Sequence, residues 1–589
     1  MINKYFQSYR LPDLSLLLIA LMCVVPFLIP HHRFPLTTFY GEWSAAVLGL
    51  LASMLLLRPI TWQSFRLPVV ALVPLGLIAI FAIQVPLGLV NYWQQNFLLG
   101  LYLLWAVLLI SLGAELKREF GMPKVVSVMA WAVFIGGLLN ILIVVLQISG
   151  VELANVIVPY NQARNGANLS QVNHLANYLA LALGSLIYLY VTAKIKPKFA
   201  LTFAILLLFP IAMTGQRMGW LYILILSIGG WWAVRKFSKN SEYLRPWVLL
   251  LLVPAFVVVQ LIIPMLPISG LPVMPTEKVV VGMQGSSIRL ELITEAWQVF
   301  LQQPWLGIGF SQFGWQDFLL AESFDQHMGW YHHTHNIVMN LMVEAGVVGA
   351  LLILAGFIYF VVNAWRNSLT PERFWVYALL AVLAIHSSLE YPLWYAYFLG
   401  IAAIALGLGD EKFIEWKMEL GPIAMGALIL FGAISLVNIG MHYYKLEDWF
   451  TRGQAKQVKP DEVDRMLDEM LVIRNKSLLA PHIDFVVLRI LPNVSEILPH
   501  KLAISSQVVK FIPGDKEVYQ HATLLAMSGQ LPAAQQQLKL ALIRYPQYAN
   551  QYAVQLLRQG DARTMPLIAS VLQNAGKMKR QALADKKSS

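Results

Sequence analysis

Long apolar runs separated by short polar loops fill the first three quarters of the chain. Runs near the length needed to span a bilayer, about 17–25 residues, fall near 14–30, 43–57, 68–90, 97–114, 125–149, 174–193, 199–214, 219–234, 246–265, 336–363, 374–388, 394–409 and 421–441. They predict about thirteen membrane-crossing helices, a few of them short. The first run follows Lys4 and Arg10, but it is longer than a signal-peptide core and lacks a small-residue cleavage site, so a retained span is expected. Two regions break the pattern. Between 267 and 335 lies a long loop with an amphipathic helix inside it: Ile288, Leu292, Ala296, Val299 and Phe300 recur at helical spacing, Ser286-Ser287 offer a cap and Pro304 a stop. From 442 to 589 the chain reads as soluble and helical. There Gly529-Gln530-Leu531, then Ala534, Leu538, Ala541, Tyr545 and Pro546, match the second helix of a tetratricopeptide unit, and an ordinary helical hairpin accounts for them equally well. The predicted fold is all-α: a transmembrane domain, 1–441, with the long loop 267–335, and a helical domain, 442–589.

Composition agrees, at 58% hydrophobic and 13% charged. Charge then orients the chain. With the N-terminus in the cytoplasm, eighteen Lys and Arg fall in cytoplasmic loops, while the opposite loops hold only Arg33, Arg164, Arg217, Lys278 and Arg289. An odd number of spans places the C-terminal domain outside. The formal charge of +11 is spread over short loops rather than gathered in a patch, so a nucleic-acid partner is not expected. The single cysteine, Cys23, excludes a disulfide framework and a thiolate metal site.

Candidate chemistry gathers at the outer boundary. Tyr331-His332-His333-Thr334-His335-Asn336 directly precedes an apolar helix. Three histidines there suit a metal, a general base or a polar interfacial turn. The outer loops offer no Asp-x-Asp pair to complete a metal site. Asn336 is a good N-cap, and a following helix N-terminus keeps His335 neutral, as a base requires. Glu344 is no dyad partner, because nine residues of straight helix put it on the opposite face, about 13 Å away along the axis. Arg217 and Arg289 break the positive-inside trend. Each is either an interfacial arginine reaching lipid phosphate or half of a clamp on a diphosphate. The polar run from Asn168 to Ala176, with Gln171, Asn173 and His174, either caps a helix or meets a sugar, and Glu390-Tyr391-Pro392 reads as a capped turn.

His335-Asn336 and, nine residues on, Gly346-Val347-Val348-Gly349 resemble the signature of the O-antigen ligase and bacterial O-oligosaccharyltransferase superfamily. The long outer loop and arginines at the positions of Arg217 and Arg289 fit the same family. Gln171-Val172-Asn173-His174, Glu390-Tyr391-Pro392 and the helical C-terminal extension are similar to its protein-glycosylating branch. The resemblance implies a GT-C-like membrane architecture in the bacterial inner membrane. The implied donor is a glycan on undecaprenyl diphosphate, and the implied acceptor a Ser or Thr of an exported protein such as a type IV pilin. It implies His335 as general base, Arg217 and Arg289 at the diphosphate, and no cofactor or metal. Gln171, Asn173, His174, His333, Asn336 and Tyr391 are then expected near donor or acceptor. Rival expectations are an O-antigen ligase acting on lipid A core, a glycan polymerase, and, from another class, a lipid flippase.

Overall fold

The computed structural model describes residues 10–159, 166–237, 245–266, 284–324, 328–454 and 460–573. Lys4, Arg164, Lys239 and Lys278 lie outside them, as do the side chains of Arg10, Ser286 and Ser287. A helix stands at each predicted run: α1 (Arg10–Met22), α2 (Phe39–Ala52), α3 (Leu72–Gln84), α4 (Trp93–Phe120), α5 (Met122–Ile148), α6 (Val172–Val191), α7 (Pro197–Met213), α8 (Met218–Phe237) and α9 (Leu252–Ile262). The loop helices α10 (Gln284–Gln302) and α11 (Phe313–Leu319) follow, then α12 (Ile337–Arg366), α13 (Pro371–Ser387), α14 (Ala396–Gly409) and α15 (Gly421–Gln454). Eight of the helical stretches are long and apolar enough to cross a membrane, and four more are apolar but shorter. Of the helices at the predicted runs, α13, with Glu372 and Arg373 at its start and His386 near its end, belongs to neither group. The chain is a multi-pass helical membrane protein.

The bundle is organised around α6. Its membrane-crossing stretch is wholly enclosed, with α5, α7, α8 and α13 packed about it. Beside it, α14 lies along α4 at very close range, because a Cβ on Gly407 would sit 2.0 Å from the Ile110 carbonyl oxygen. One departure from an all-helical chain is a short antiparallel ribbon, β1 (Phe65–Pro68) with β2 (Phe413–Trp416). It joins two loops at one end of the bundle, where Arg58 pairs with Glu119 and both Lys117 and Arg373 reach Glu411. The histidine loop lies at the other end.

At that end α10 turns Leu292, Ala296, Val299 and Phe300 onto Phe313 of α11 and Val343 of α12, as its periodicity predicts. The helix begins at Gln284, ahead of the predicted serine cap, and stops at Gln302, short of Pro304. The final membrane helix does not end at 441: α15 continues to Gln454 without a break. Beyond it α16 (Pro460–Arg474), α17 (Ala480–Ile490), α18 (Leu498–Phe511), α19 (Asp515–Met527), α20 (Leu531–Arg544) and α21 (Ala549–Gln559) build the C-terminal domain. The tetratricopeptide-like spacing corresponds to the hairpin of α19 and α20, turned at Gly529, with Ala534, Leu538, Ala541 and Tyr545 buried. Polar contacts seat this domain on the bundle. The Tyr92 hydroxyl donates to Asp484 Oδ2 (3.0 Å), and Arg33 pairs with Glu447 (2.9 Å).

Candidate active site

Gly346 sets the geometry of the site. Its backbone (φ 67°, ψ −169°) breaks α12 about three turns beyond His335, a conformation open essentially to glycine alone. The break frees backbone groups that the loop after α10 then uses. Val347 N–H donates to the Pro304 carbonyl (2.7 Å), and Ile308 N–H donates to the Val343 carbonyl (2.9 Å). Gln84 of α3 clamps the junction, donating to the carbonyls of Leu306 (2.8 Å) and Glu344 (2.7 Å) and accepting from Phe310 N–H (3.1 Å). Glu344 points into this junction, toward the amides of Ser311 and Phe313 and the Asn340 side chain, not toward His335. Its separation from the histidine agrees with helical geometry, while the break itself gave no sign in the sequence.

The histidine loop is pinned at both ends. Asn336 caps α12, its side chain accepting from Val338 N–H (3.0 Å) and Met339 N–H (3.1 Å), while its amide donates to the Ser388 carbonyl (3.1 Å). Upstream, Tyr331 N–H donates to Asp317 Oδ2 (2.7 Å), and Thr334 N–H donates to Asn340 Oδ1 (3.2 Å). His335 turns the corner at φ 54°, in the left-handed region. Its amide donates to His333 Nδ1 (3.2 Å), which fixes the proton of a neutral His333 on Nε2. The His335 ring has no hydrogen-bond partner among the described residues, so its lone pair is uncommitted.

Tyr391 lies across this loop, its ring centroid 3.3 Å from His333 and 6.4 Å from His335. Burial pushes the His333 imidazole well below the usual histidine range, with His335 and His332 adding to the effect. Burial also lowers His335. Glu390 opposes that shift, and Arg289 on α10 is near enough to reinforce it. The ring is therefore held neutral mainly by its enclosure, where the sequence pointed to the helix terminus.

Other expected residues fall into two groups. Arg289 is exposed and acts electrostatically on His335. Arg217 is exposed at the same end of the bundle, just before α8, with no contact to His335 among the described residues. Gln171 caps α6 by accepting from His174 N–H (2.7 Å). His174 is buried, with Nδ1 3.0 Å from the Tyr397 hydroxyl and Tyr395 against its ring, which is the environment of a core histidine. Asn173 donates to Glu390, and Glu390 also faces His386 Nε2 (3.4 Å). His386 meets Asn177 in turn. Asn177, His386 and Glu390 thus form a polar column, its first two members buried, behind the histidine loop. Sequence reasoning missed it, although a histidine inside a predicted span is itself a signal.

Beside the site opens a cavity of about 2010 Å³. His332, His333 and Tyr391 are among the residues that line it, and most of its walls are apolar. Leu351, Leu354 and Phe357 of α12 and Leu380 and Ala384 of α13 contribute to them. Among the described residues, no group of three or more His, Cys, Asp or Glu side chains could hold a metal ion.

Known families match both halves of this arrangement. Residues 202–354, from α7 through the broken helix, match the O-antigen ligase family, and residues 374–558 match the family described as virulence factor membrane-bound polymerase, C-terminal. The general O-oligosaccharyltransferase of Acinetobacter baylyi (strain ATCC 33305 / BD413 / ADP1) is 30% identical over 446 residues, covering 74% of this chain and 76% of that protein. The ComP-specific O-oligosaccharyltransferase of the same organism is 24% identical over 415 residues, covering 69% and 72%. With its histidine loop, the break at Gly346 and much of its C-terminal domain inside the matched segments, this chain belongs to the O-oligosaccharyltransferases of the O-antigen ligase family.

Proposed function

We propose that this enzyme moves a preassembled glycan en bloc from undecaprenyl diphosphate to a Ser or Thr hydroxyl of an exported protein, such as a type IV pilin. It works at the outer face of the bacterial inner membrane, with its N-terminus in the cytoplasm and its C-terminal domain in the periplasm. The observation that carries this reading is the uncommitted His335 ring, held neutral by burial within the field of Arg289. His335 accepts the hydroxyl proton as the acceptor oxygen attacks the anomeric carbon. The bond from that carbon to the diphosphate breaks, and its electron pair leaves with the lipid. Arg289 and Arg217 stabilise the charge that builds there. One displacement inverts the anomeric centre. A diphosphate neutralised by guanidinium groups leaves without help from a metal. The apolar cavity that His333 and Tyr391 help to line suits the polyprenyl tail. Tyr391, His333 and Asn336 border the reacting groups. Asn173 and His174 support this wall through Glu390 and Tyr397, and Gln171 caps the helix that carries them.

The test is intact-mass analysis of a purified pilin incubated with the enzyme and an undecaprenyl-diphosphate oligosaccharide in EDTA. A gain of one whole glycan is expected. Extension of lipid A core or of free glycan, with the pilin unchanged, replaces this reading by a ligase or a polymerase. Loss of transfer in EDTA, restored by a divalent cation, overturns the metal-free step.

Arg289 makes a further prediction. Its cation disfavours a protonated His335, so Arg289→Gln raises the imidazole pKa toward the ordinary histidine range. The acid limb of the kcat–pH profile therefore moves to higher pH in the variant, and the rate at neutral pH falls. An unmoved limb, measured from pH 4 to 8, separates Arg289 from His335.

A further inference from the structure

At Asp317 of α11, neighbouring stretches of the chain between 284 and 335 meet the distant C-terminal domain. Arg544, at the end of α20 in the C-terminal domain, donates from Nη2 to Asp317 Oδ1 (2.9 Å) and to the Asp317 carbonyl (2.7 Å). Both side chains are fully buried. The second carboxylate oxygen, Oδ2, accepts from Tyr331 N–H (2.7 Å), and the Arg544 carbonyl accepts from Gly329 N–H (2.8 Å). The backbone that leads into His332-His333-Thr334-His335 therefore hangs from this ion pair. Glu295 of α10 lies buried beside it. Enclosure and the Asp317 charge push its carboxyl up to about 9, against the pull of Arg544. Glu291 is buried one turn earlier on the same helix, and Arg289 follows close behind. An apolar shell closes the contact: Phe318 and Ala321 of the loop share one cluster with Ala534, Leu538 and Ala541 of α20.

A buried ion pair gives little net stability, because the loss of hydration offsets most of the attraction. Removing one partner is another matter, since the remaining charge is stranded. Arg544 lies among three carboxyl side chains, and its bonds to Asp317 and to Gly329 N–H end on the histidine loop or on the residue that holds it. An arginine that only glued the domain down would not need to share its acceptor with the amide of Tyr331. Its own carbonyl would also have no reason to take the amide of Gly329.

We propose that Arg544 is a positioning residue: through Asp317 it holds residues 329–331, and with them His335, in the reactive arrangement. The C-terminal domain thus completes the active site. This rests on the reading of His335 as the base, and the experiment separates the two claims. Full-length Arg544→Met, Arg544→Lys and Asp317→Asn enzymes are purified in detergent and compared with wild type in two ways. Hydrogen–deuterium exchange, which needs no substrate, follows the amides of 329–335. Initial rates with an undecaprenyl-diphosphate oligosaccharide and a purified pilin then give kcat and the acceptor KM.

Arg544→Met is expected to lose protection at Gly329 and Tyr331 and to lower kcat about 10- to 100-fold, since a displacement near 1 Å suffices for that loss. The acceptor KM stays within about twofold. Asp317→Asn, which keeps the side-chain volume, shifts the same two readouts, and Arg544→Lys recovers part of both. Lys539→Ala, which removes an exposed pair with Glu322 at the same interface, leaves them unchanged. Unchanged protection at 329–331 overturns the proposal whatever the rates show. A raised acceptor KM with kcat intact overturns it in favour of a domain that only reads the acceptor. Should His335→Ala keep the wild-type rate, the base assignment fails on its own, while the exchange result still decides whether Arg544 holds the loop.

Discussion

His335→Ala loses glycan transfer by about 10²- to 10⁴-fold, the range expected when a positioned general base is removed. No neighbour replaces it. His333 is buried and its Nδ1 already accepts the His335 amide, an acceptor the alanine backbone still engages. His332 Nε2 lies 3.4 Å from the Ser311 hydroxyl, on the other side of the loop's turn. The loop itself survives the substitution, since its pins are the Asp317 carboxylate and the side chains of Asn336 and Asn340. Alanine at φ 54° adds a modest strain and no clash. Single-turnover transfer to a pilin, read by intact mass, measures the loss. A rate within threefold of wild type would remove His335 from the mechanism and move attention to His333.

The second large effect is structural. Gly346→Ala places a methyl 2.1 Å from the Trp305 carbonyl oxygen, at a φ of 67° and a ψ of −169° that no L-residue adopts without strain. The backbone conformation alone costs about 1–3 kcal/mol. Relieving the overlap means withdrawing the 304–308 segment and giving up its hydrogen bonds to Val347 and Val343. A total loss of about 3 kcal/mol or more is expected. It would show as a lower aggregation temperature in detergent and a poor yield of monodisperse protein. Gly100→Ala is the matched control. Gly100 lies in α4 with nothing within 4 Å of its would-be Cβ, so alanine there is neutral or slightly stabilising. Equal behaviour of the two variants would mean that α12 is not broken at Gly346.

The contrast between these residues explains what the sequence revealed. Apolar runs are dense along the chain, so the helices were legible from hydropathy alone. The loop helix was equally plain, because Leu292, Ala296 and Val299 repeat at helical spacing. Asn336 announced itself as a cap through its chemistry. Gly346 did not announce a break, since a glycine in an apolar run reads as a packing residue. Its conformation is imposed by a segment forty residues away. His386 and Asn177 were hidden for a related reason: each lies inside an apolar run, and only the packing of α6 against α13 brings them together. Arg544 is the extreme case. In a domain rich in Lys and Arg, nothing local separates a fully buried arginine from its solvated neighbours. The two arginines paired by sign and depth proved unequal, because charge pattern reports the end of the bundle a residue occupies and not its distance from another.

The unbroken α15 has a bearing on how this enzyme responds to its lipid. Thirty-four residues of continuous helix form a rod roughly 50 Å long, since each residue adds about 1.5 Å. Its lower part sits in hydrocarbon, and its upper part carries the extramembrane domain. A helix whose apolar length exceeds the local bilayer thickness tilts to hide the excess. A change of tilt of about 5° displaces the far end of such a rod by roughly 4 Å, more than the length of a hydrogen bond. The seats at Asp484, Glu447 and Arg544 resist that movement, so bilayer thickness acts as a load on these contacts, including the one from which the histidine loop hangs.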